Sequence, residues 1–268
     1  MSLIHMYYNS YYLHGNQEVS IILPDRPGNQ LPKDYYGRDR KYPVLWLLHG
    51  AFGDHTDWVR KSKIELYARE RDLCVVMPSA FNSGYANWDH FAFGFAMWDY
   101  LTEELMPMVY GWYPVSEERS DNFVAGLSMG GRGALKLAVN YPEKFAAAAV
   151  LSAAPENLRE IDPTKNEARW RRLLENAGSL EALLASSENV WDKIAALAGK
   201  DVLPRLYCAI GTEDVWYPNY EKFKRYAESI HLAATFEEGP GGHDWRFWDT
   251  YIEKALLFFD AGKAGTAK

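Results

Sequence analysis

Gly126-Leu127-Ser128-Met129-Gly130 is the stretch of this chain richest in chemistry. It fits the pattern G-x-S-x-G, and it stands between a strand-like run, Asn122 to Ala125, and a helix-like segment, Met129 to Tyr141. A strand-to-helix junction is the context in which that pattern carries meaning. The turn there must be sharp, holding the serine in a strained backbone conformation. Chain must pass close by on both sides, which glycine two residues before and two after permits. The serine hydroxyl is then raised to the carboxyl end of a sheet, where open α/β sheets bind ligands. The N-terminus of the following helix, with its free N–H groups, points at the same place.

A serine hydroxyl is a poor nucleophile until a base takes its proton. In such sites the chain order is serine, then acid, then histidine. Two histidines follow Ser128, namely His231 and His243. His231 ends a helix-like segment, where capping and the helix dipole account for it. His243 lies in the glycine-rich connection Glu238-Gly239-Pro240-Gly241-Gly242-His243-Asp244 between the last strand and the last helix, and is the favoured base. The acid is expected where Gly211-Thr212-Glu213-Asp214 follows the strand-like run Leu206 to Ile210; Asp214 is the choice and Glu213 the alternative. Asp162, Asp192 and Asp201 fit worse, lying in or beside a helical stretch. An oxyanion site needs two converging N–H donors. One is expected from Met129, the other from the loop His49-Gly50-Ala51-Phe52, with Ala51 ahead of Phe52. His49 precedes Ser128 and is read as shaping that loop.

Other chemistries find little footing. No Cys/His spacing suits zinc, and neither H-E-x-x-H, a phosphate-binding lysine loop nor a dinucleotide fingerprint occurs. Neither metal nor cofactor is therefore expected. The glycines of 239–242 are read as freeing the loop that bears His243. The net charge of −7 and the lack of a basic run argue against nucleic acid as a partner. No apolar run reaches membrane-spanning length, so no membrane partner is expected. Met1 to Ser10 lacks a basic stretch followed by a long apolar one, which makes cytoplasm the expected compartment and leaves a removed leader open. Cys74 and Cys208 sit in strand-like runs and read as buried thiols. The chain has 10 tryptophans and 18 tyrosines, enough to wall a pocket as well as fill a core. Trp88, Trp216, Tyr217 and Trp245 are the expected pocket side chains, with Phe52, Tyr85 and Phe91 also flanking the loops of interest.

The elements that must position these residues follow from hydrophobic period. The chain is long enough for one large α/β domain, and 1–268 is expected to be one. Edge strands are expected up to about Leu23, then buried strands at Val44 to Leu48, Leu73 to Met77, Asn122 to Ala125, Phe145 to Leu151 and Leu206 to Ile210, and a last strand at Ala233 to Glu237. Between them helix-like spacing covers Thr56 to Arg69, Phe95 to Trp112 with a kink expected at Pro107, Met129 to Tyr141, Tyr220 to Ile230 and Trp245 to Phe259. Such alternation implies the α/β class, with a mostly parallel sheet and helices on both faces. From 155 to 200 it breaks into an all-helical insertion, which is either extra packing or a lid.

Leu47-Leu48-His49-Gly50, Gly126 to Leu135, Gly211-Thr212-Glu213-Asp214 and Gly242-His243-Asp244-Trp245 together resemble the esterase D-like family of α/β-hydrolases, nearest its tributyrin and feruloyl esterases. The resemblance runs from about Tyr7 to Phe259. It implies a serine carboxylesterase that cleaves small-molecule esters with short-chain acyl groups, such as acetyl or butyryl, or with aromatic ones, with Ser128, Asp214 and His243 as nucleophile, acid and base. S-acyl thioesterase and acyltransferase activities need the same residues and stand as alternatives; a binding module with a dead site is the non-enzymatic one. Family members often form homo-oligomers, a matter on which the residues are silent.

Overall fold

Val44–Leu48 has no polar residue in it, and such a run can rest only in a strand covered on both faces. It forms β3, at the middle of an eight-stranded sheet. The computed structural model describes residues 1–36, 39–90, 94–162, 164–165 and 168–260. Within them, β1 (Ser2–Ser10) and β2 (Gly15–Leu23) make an antiparallel hairpin at one edge. β2 lies antiparallel to β4 (Cys74–Pro78). The rest is parallel: β4, β3, β7 (Asn122–Leu127), β8 (Ala147–Leu151), β9 (Arg205–Gly211) and β10 (Ala234–Gly239), giving the spatial order β1-β2-β4-β3-β7-β8-β9-β10. The short β5 (Asn87–Trp88) and β6 (Phe95–Ala96) pair apart from this sheet. One antiparallel strand beside a run of parallel ones, flanked by helices, is the α/β-hydrolase architecture expected.

Alternation along the strands divides the core into two layers. Trp46, Leu48, Val76, Val124, Val150 and Cys208 face one side. There they meet α6 (Met129–Asn140), α9 (Val190–Leu197) and α10 (Tyr217–Ser229). Leu45, Leu47, Val75, Ala125, Leu151 and Ala209 face the other, beneath α2 (Asp57–Lys61), α3 (Ile64–Arg69) and α11 (Trp245–Phe259). Cys74 and Cys208 are buried free thiols, and burial pushes the Cys208 thiol up to about 12.

Two expected elements come out differently. The helix read over Thr56 to Arg69 is two helices, because Ser62 is extended and its hydroxyl takes the carbonyl of Trp58, competing with the backbone. Lys63 then gives its N–H to Asp249 on α11. The helix read from Phe95 begins at α4 (Met97–Asp99) and ends with α5 (Met106–Trp112). Between these, Tyr100–Leu105 is π-helical, Met106 N–H reaching back to Leu101 C=O. Pro107 offers no N–H and crowds the preceding turn, so the wider turn replaces the expected kink.

Among the described residues of 155–200 are α7 (Ala168–Ala177), α8 (Leu180–Ala185) and α9, but they do not act as one body. Val190, Trp191 and Ile194 of α9 belong to the main core. Trp170, Leu173 and Leu174 of α7 gather with Leu158, Ile161 and Leu183 in a separate small cluster. A short helix α1 (Pro32–Tyr36) lies in the connection before β3. No helix among the described residues is long and apolar enough to cross a membrane.

Candidate active site

Ser128 occupies the turn between β7 and α6 with φ 52° and ψ −116°, the strained conformation that the sequence pattern implies. The flanking glycines are required by close approach. A Cβ on Gly126 would stand 2.4 Å from the Gly130 carbonyl, and one on Gly130 would stand 2.4 Å from Leu48 O and 2.5 Å from His49 O. The start of α6 is thus seated directly on the end of β3. Ser128 N–H is anchored on Leu151 O at 2.8 Å, which ties the turn to β8.

The sheet brings Ser128, Asp214 and His243 together. His243 Nε2 is 3.0 Å from Ser128 Oγ, and His243 Nδ1 is 2.9 Å from Asp214 Oδ2. A carboxylate only accepts, so Nδ1 carries the proton and Nε2 is left to accept from the serine hydroxyl. The Asp214 side chain is wholly buried. Burial by itself would raise its pKa. Hydrogen bonds from His243, from Trp216 N–H (2.8 Å to Oδ1) and from Ser152 outweigh this and hold the carboxyl below the ordinary aspartate value. Glu213 is exposed and presents only its backbone here, its N–H donating to Gly241 O at 3.0 Å. His231 is exposed at the end of α10.

The glycine run before His243 does not loosen its loop. Gly211 and Gly241 approach so closely that a Cβ on Gly211 would stand 2.1 Å from Gly241 O. Thr212 N–H donates to Gly239 O at 2.8 Å, so the Asp214 loop and the His243 loop are laced together through backbone. Directly after His243, the Asp244 side chain caps α11 by accepting from Arg246 N–H (2.9 Å) and Phe247 N–H (3.2 Å).

Sequence reasoning missed Ser152 and Trp248. Ser152 is buried at the carboxyl end of β8 with φ 50°. Trp248 Nε1–H donates to its Oγ at 2.9 Å. Because the indole can only donate, the Ser152 hydroxyl proton is free to donate to Asp214. The Trp248 ring also meets the His243 imidazole edge to face at 5.0 Å. The available signal was position, since site residues of parallel sheets gather at strand carboxyl ends.

Met129 is the first residue of α6, so its N–H has no acceptor within the helix. Ala51 is exposed beside it in the β3 loop, and both line a cleft of about 570 Å³. Phe52 suits the donor role less well: its N–H is committed to Asn82 Oδ1 at 2.7 Å, and its ring is 93% exposed. His49 is buried, and burial depresses its pKa. Its Nε2 accepts from Ala80 N–H (2.8 Å) while Nδ1 donates to Gly50 O (2.6 Å), so it shapes the loop as expected.

Of the four expected pocket aromatics, Trp88 lines the cleft and Trp216 lines a small recess beside Ser128. Tyr217 and Trp245 line neither. Tyr217 turns its hydroxyl to Glu238 at 2.5 Å, and Trp245 is wedged edge to face against Trp58 and Trp248. Of the flanking rings, Tyr85 is buried with its hydroxyl on His49 O, and Phe91 lies outside the described residues. The far wall of the cleft includes Leu158, Trp170 and Leu173 from the segment 155–200. Lys136, fully buried on α6, pairs with Glu188 there and lies 4.9 Å from the Trp98 ring. Among the described residues no group of three or more His, Cys, Asp or Glu side chains could hold a metal ion.

The arrangement can move a proton from a hydroxyl to an imidazole and stabilise the cation so formed, next to the first N–H of α6 and a cleft of substrate size. Esterases and related hydrolases are among the known proteins that this chain resembles. The esterase family, described as Putative esterase, matches residues 28–259. An acetyl esterase of Caldicellulosiruptor saccharolyticus is 28% identical over 267 residues, 96% of this chain and 97% of that one. The structure of an S-formylglutathione hydrolase from Staphylococcus aureus superposes with a TM-score of 0.78 at 31% identity, covering 96% of this chain and 98% of its own. A fluorophosphonate-binding serine hydrolase of the same organism matches equally well, with TM-score 0.78, 31% identity and the same coverage.

Proposed function

This chain belongs to the esterase family, and on that footing we propose that it is a serine carboxylic-ester hydrolase acting on small esters with short acyl groups through an acyl-enzyme. The observation that carries the reading is the chain of contacts from Ser128 Oγ to His243 (3.0 Å) and from His243 to Asp214 (2.9 Å). In the proposed reaction Ser128 Oγ attacks the ester carbonyl while His243 Nε2 takes its proton. Asp214 holds the imidazole in the required tautomer and stabilises its cation. The carbonyl oxygen, now an anion, accepts from the N–H groups of Met129 and Ala51. Collapse of the adduct expels the alkoxide, which leaves as alcohol with the proton from His243. Water then gives a proton to His243, attacks the acyl carbon and releases the acid, and Ser128 recovers its proton. The chain itself supplies base, acid and oxyanion donors, so neither step needs a cofactor.

We assign the segment 155–200 two tasks within a single domain: α9 completes the core, while Leu158 and α7 cover the cleft. A thioester reading is favoured by one observation, the 31% identity over almost the whole chain with an S-formylglutathione hydrolase. The test is turnover of p-nitrophenyl acetate by the wild type, Ser128→Ala and His243→Ala, beside a matched pair of oxygen and sulfur esters. Loss of either side chain is expected to remove most of a rate factor of roughly 10⁶. Wild-type turnover by Ser128→Ala overturns the assignment. A strong preference for the sulfur ester moves the protein to the second reading with the same residues.

A further inference from the structure

Two cavities adjoin at Arg132 and Glu156, and they differ greatly in size. The open cleft has about 570 Å³. The recess has about 10 Å³, which is room for about one water or one methyl group. Ser128 lines the recess with Ala153, Ala154 and Trp216. Arg132 and Glu156 line both cavities. They stand between the two, with Arg132 Nη1 3.6 Å from Glu156 Oε1 and the guanidinium 6.0 Å from the centre of the Trp216 ring.

This partition draws on three parts of the fold. Arg132 stands in the first turn of α6, just after Ser128, and both side chains line the recess. Glu156 comes from the chain just after β8 and Trp216 from the turn just after Asp214. The Arg132 side chain is 33% exposed and that of Glu156 13%, so the pair sits at a boundary between cavities and not in the core.

The two halves of an ester have different needs. The acyl half stays bonded to Ser128 after the alcohol has gone, so it belongs in the space that Ser128 itself lines. The alcohol half must leave, so it belongs in the open cleft. We propose that the Arg132–Glu156 pair, backed by Trp216, is the specificity determinant of this enzyme, closing the acyl recess so that acetyl-sized groups enter and longer or aromatic acyl groups do not. This rests on the esterase reading above and deepens it by naming the acyl class and the residues that set it. Breaking the pair from either side joins the recess to the cleft and opens a path for a longer chain.

The experiment measures kcat/KM on p-nitrophenyl acetate, butyrate and octanoate for the wild type, Arg132→Ala, Arg132→Met and Glu156→Ala. The octanoate-to-acetate ratio is taken within each protein, so a fraction that fails to fold cancels. In the wild type, acetate is expected to lead. In Arg132→Ala and Glu156→Ala the ratio is expected to rise about tenfold or more, the discrimination that a methylene or two in a tight pocket supplies. Arg132→Met, which keeps the length of the side chain, is expected to fall between. In a series of acetates with longer alcohols the relative rates should differ among the four proteins by less than the octanoate-to-acetate ratio does, because Arg132 and Glu156 are only two of the many side chains that line the cleft. A wild type that favours octanoate, or ratios unchanged in both alanine variants, overturns the partition. A wild type that cleaves none of these esters overturns the esterase reading beneath it.

Discussion

Gly130→Ala tests whether the seating of α6 on β3 holds the reacting groups in place. Alanine is ordinarily the better helix former, so without crowding the variant should gain about 1 kcal/mol of stability. Here the added methyl would stand 2.4 Å from Leu48 O and 2.5 Å from His49 O, both backbone atoms that cannot rotate away. A comfortable carbon-to-oxygen contact needs about 3.3 Å, so the start of α6 must retreat from β3 by roughly 0.9 Å. That retreat carries Ser128 and the Met129 N–H away from Ala51, which follows His49 by two residues. Misplacement by about 1 Å costs on the order of 10²-fold in rate, and loss of one oxyanion donor costs about as much. The variant is therefore expected to lose about 10²-fold in kcat/KM on p-nitrophenyl acetate, and overpacking to lower its stability by about 1–3 kcal/mol in urea unfolding. Gly111→Ala is the control: it is helical with nothing within 4 Å of the added Cβ, so it should gain stability and keep full activity. A Gly130→Ala protein that is more stable than the wild type and equally active would refute the argument.

Three further outcomes follow from the same contacts. Ser152→Ala removes a hydrogen bond to the Asp214 carboxylate and leaves Trp248 Nε1–H without its acceptor, so kcat should fall about tenfold or more with little change in KM. Since the lost bond favours the charged carboxylate, the Asp214 pKa must rise, and the acid limb of the kcat profile should move to higher pH. Lys136→Met strands Glu188 in the cleft wall and should cost about 3 kcal/mol in urea unfolding, near the lower end for buried pairs because Glu188 is 24% exposed; adding Glu188→Gln should restore part of it. His49 has a pKa depressed by burial, so the unfolded chain binds its proton more tightly than the folded one. Its contribution to stability is complete above about pH 6.5 and is lost as the pH falls from there through the folded value. Tm measured across that window should fall less steeply for His49→Gln than for the wild type.

The features legible in the sequence were those fixed by local sterics and period. G-x-S-x-G announces its turn because only glycine tolerates backbone at the distances found around Gly126 and Gly130. The apolar runs of β3, β4, β7 and β8 announce buried strands, and Asp214 follows its strand as closely as expected. What was not legible depends on partners distant in the chain. Tyr217 and Trp245 border the right loops, but Glu238 in one case and Trp58 with Trp248 in the other claim them. Ser152 and Trp248 are 96 residues apart, and nothing in either neighbourhood shows that they meet. The helical periodicity of 155–200 is real, but period does not reveal that α9 joins the main core while α7 does not. The break at Ser62 was open to reading from its hydroxyl; the π-helical turn before Pro107 was not, because proline signals a disturbed helix without saying how it resolves.

The most direct measurement is site-mapped labelling by a fluorophosphonate, which reacts with a serine only when a neighbouring base activates it. Intact-mass and peptide analysis of the labelled wild type should show a single adduct, on Ser128, with none in Ser128→Ala and far slower labelling in His243→Ala. An adduct on a different serine, or labelling that proceeds at the wild-type rate without His243, would contradict the account.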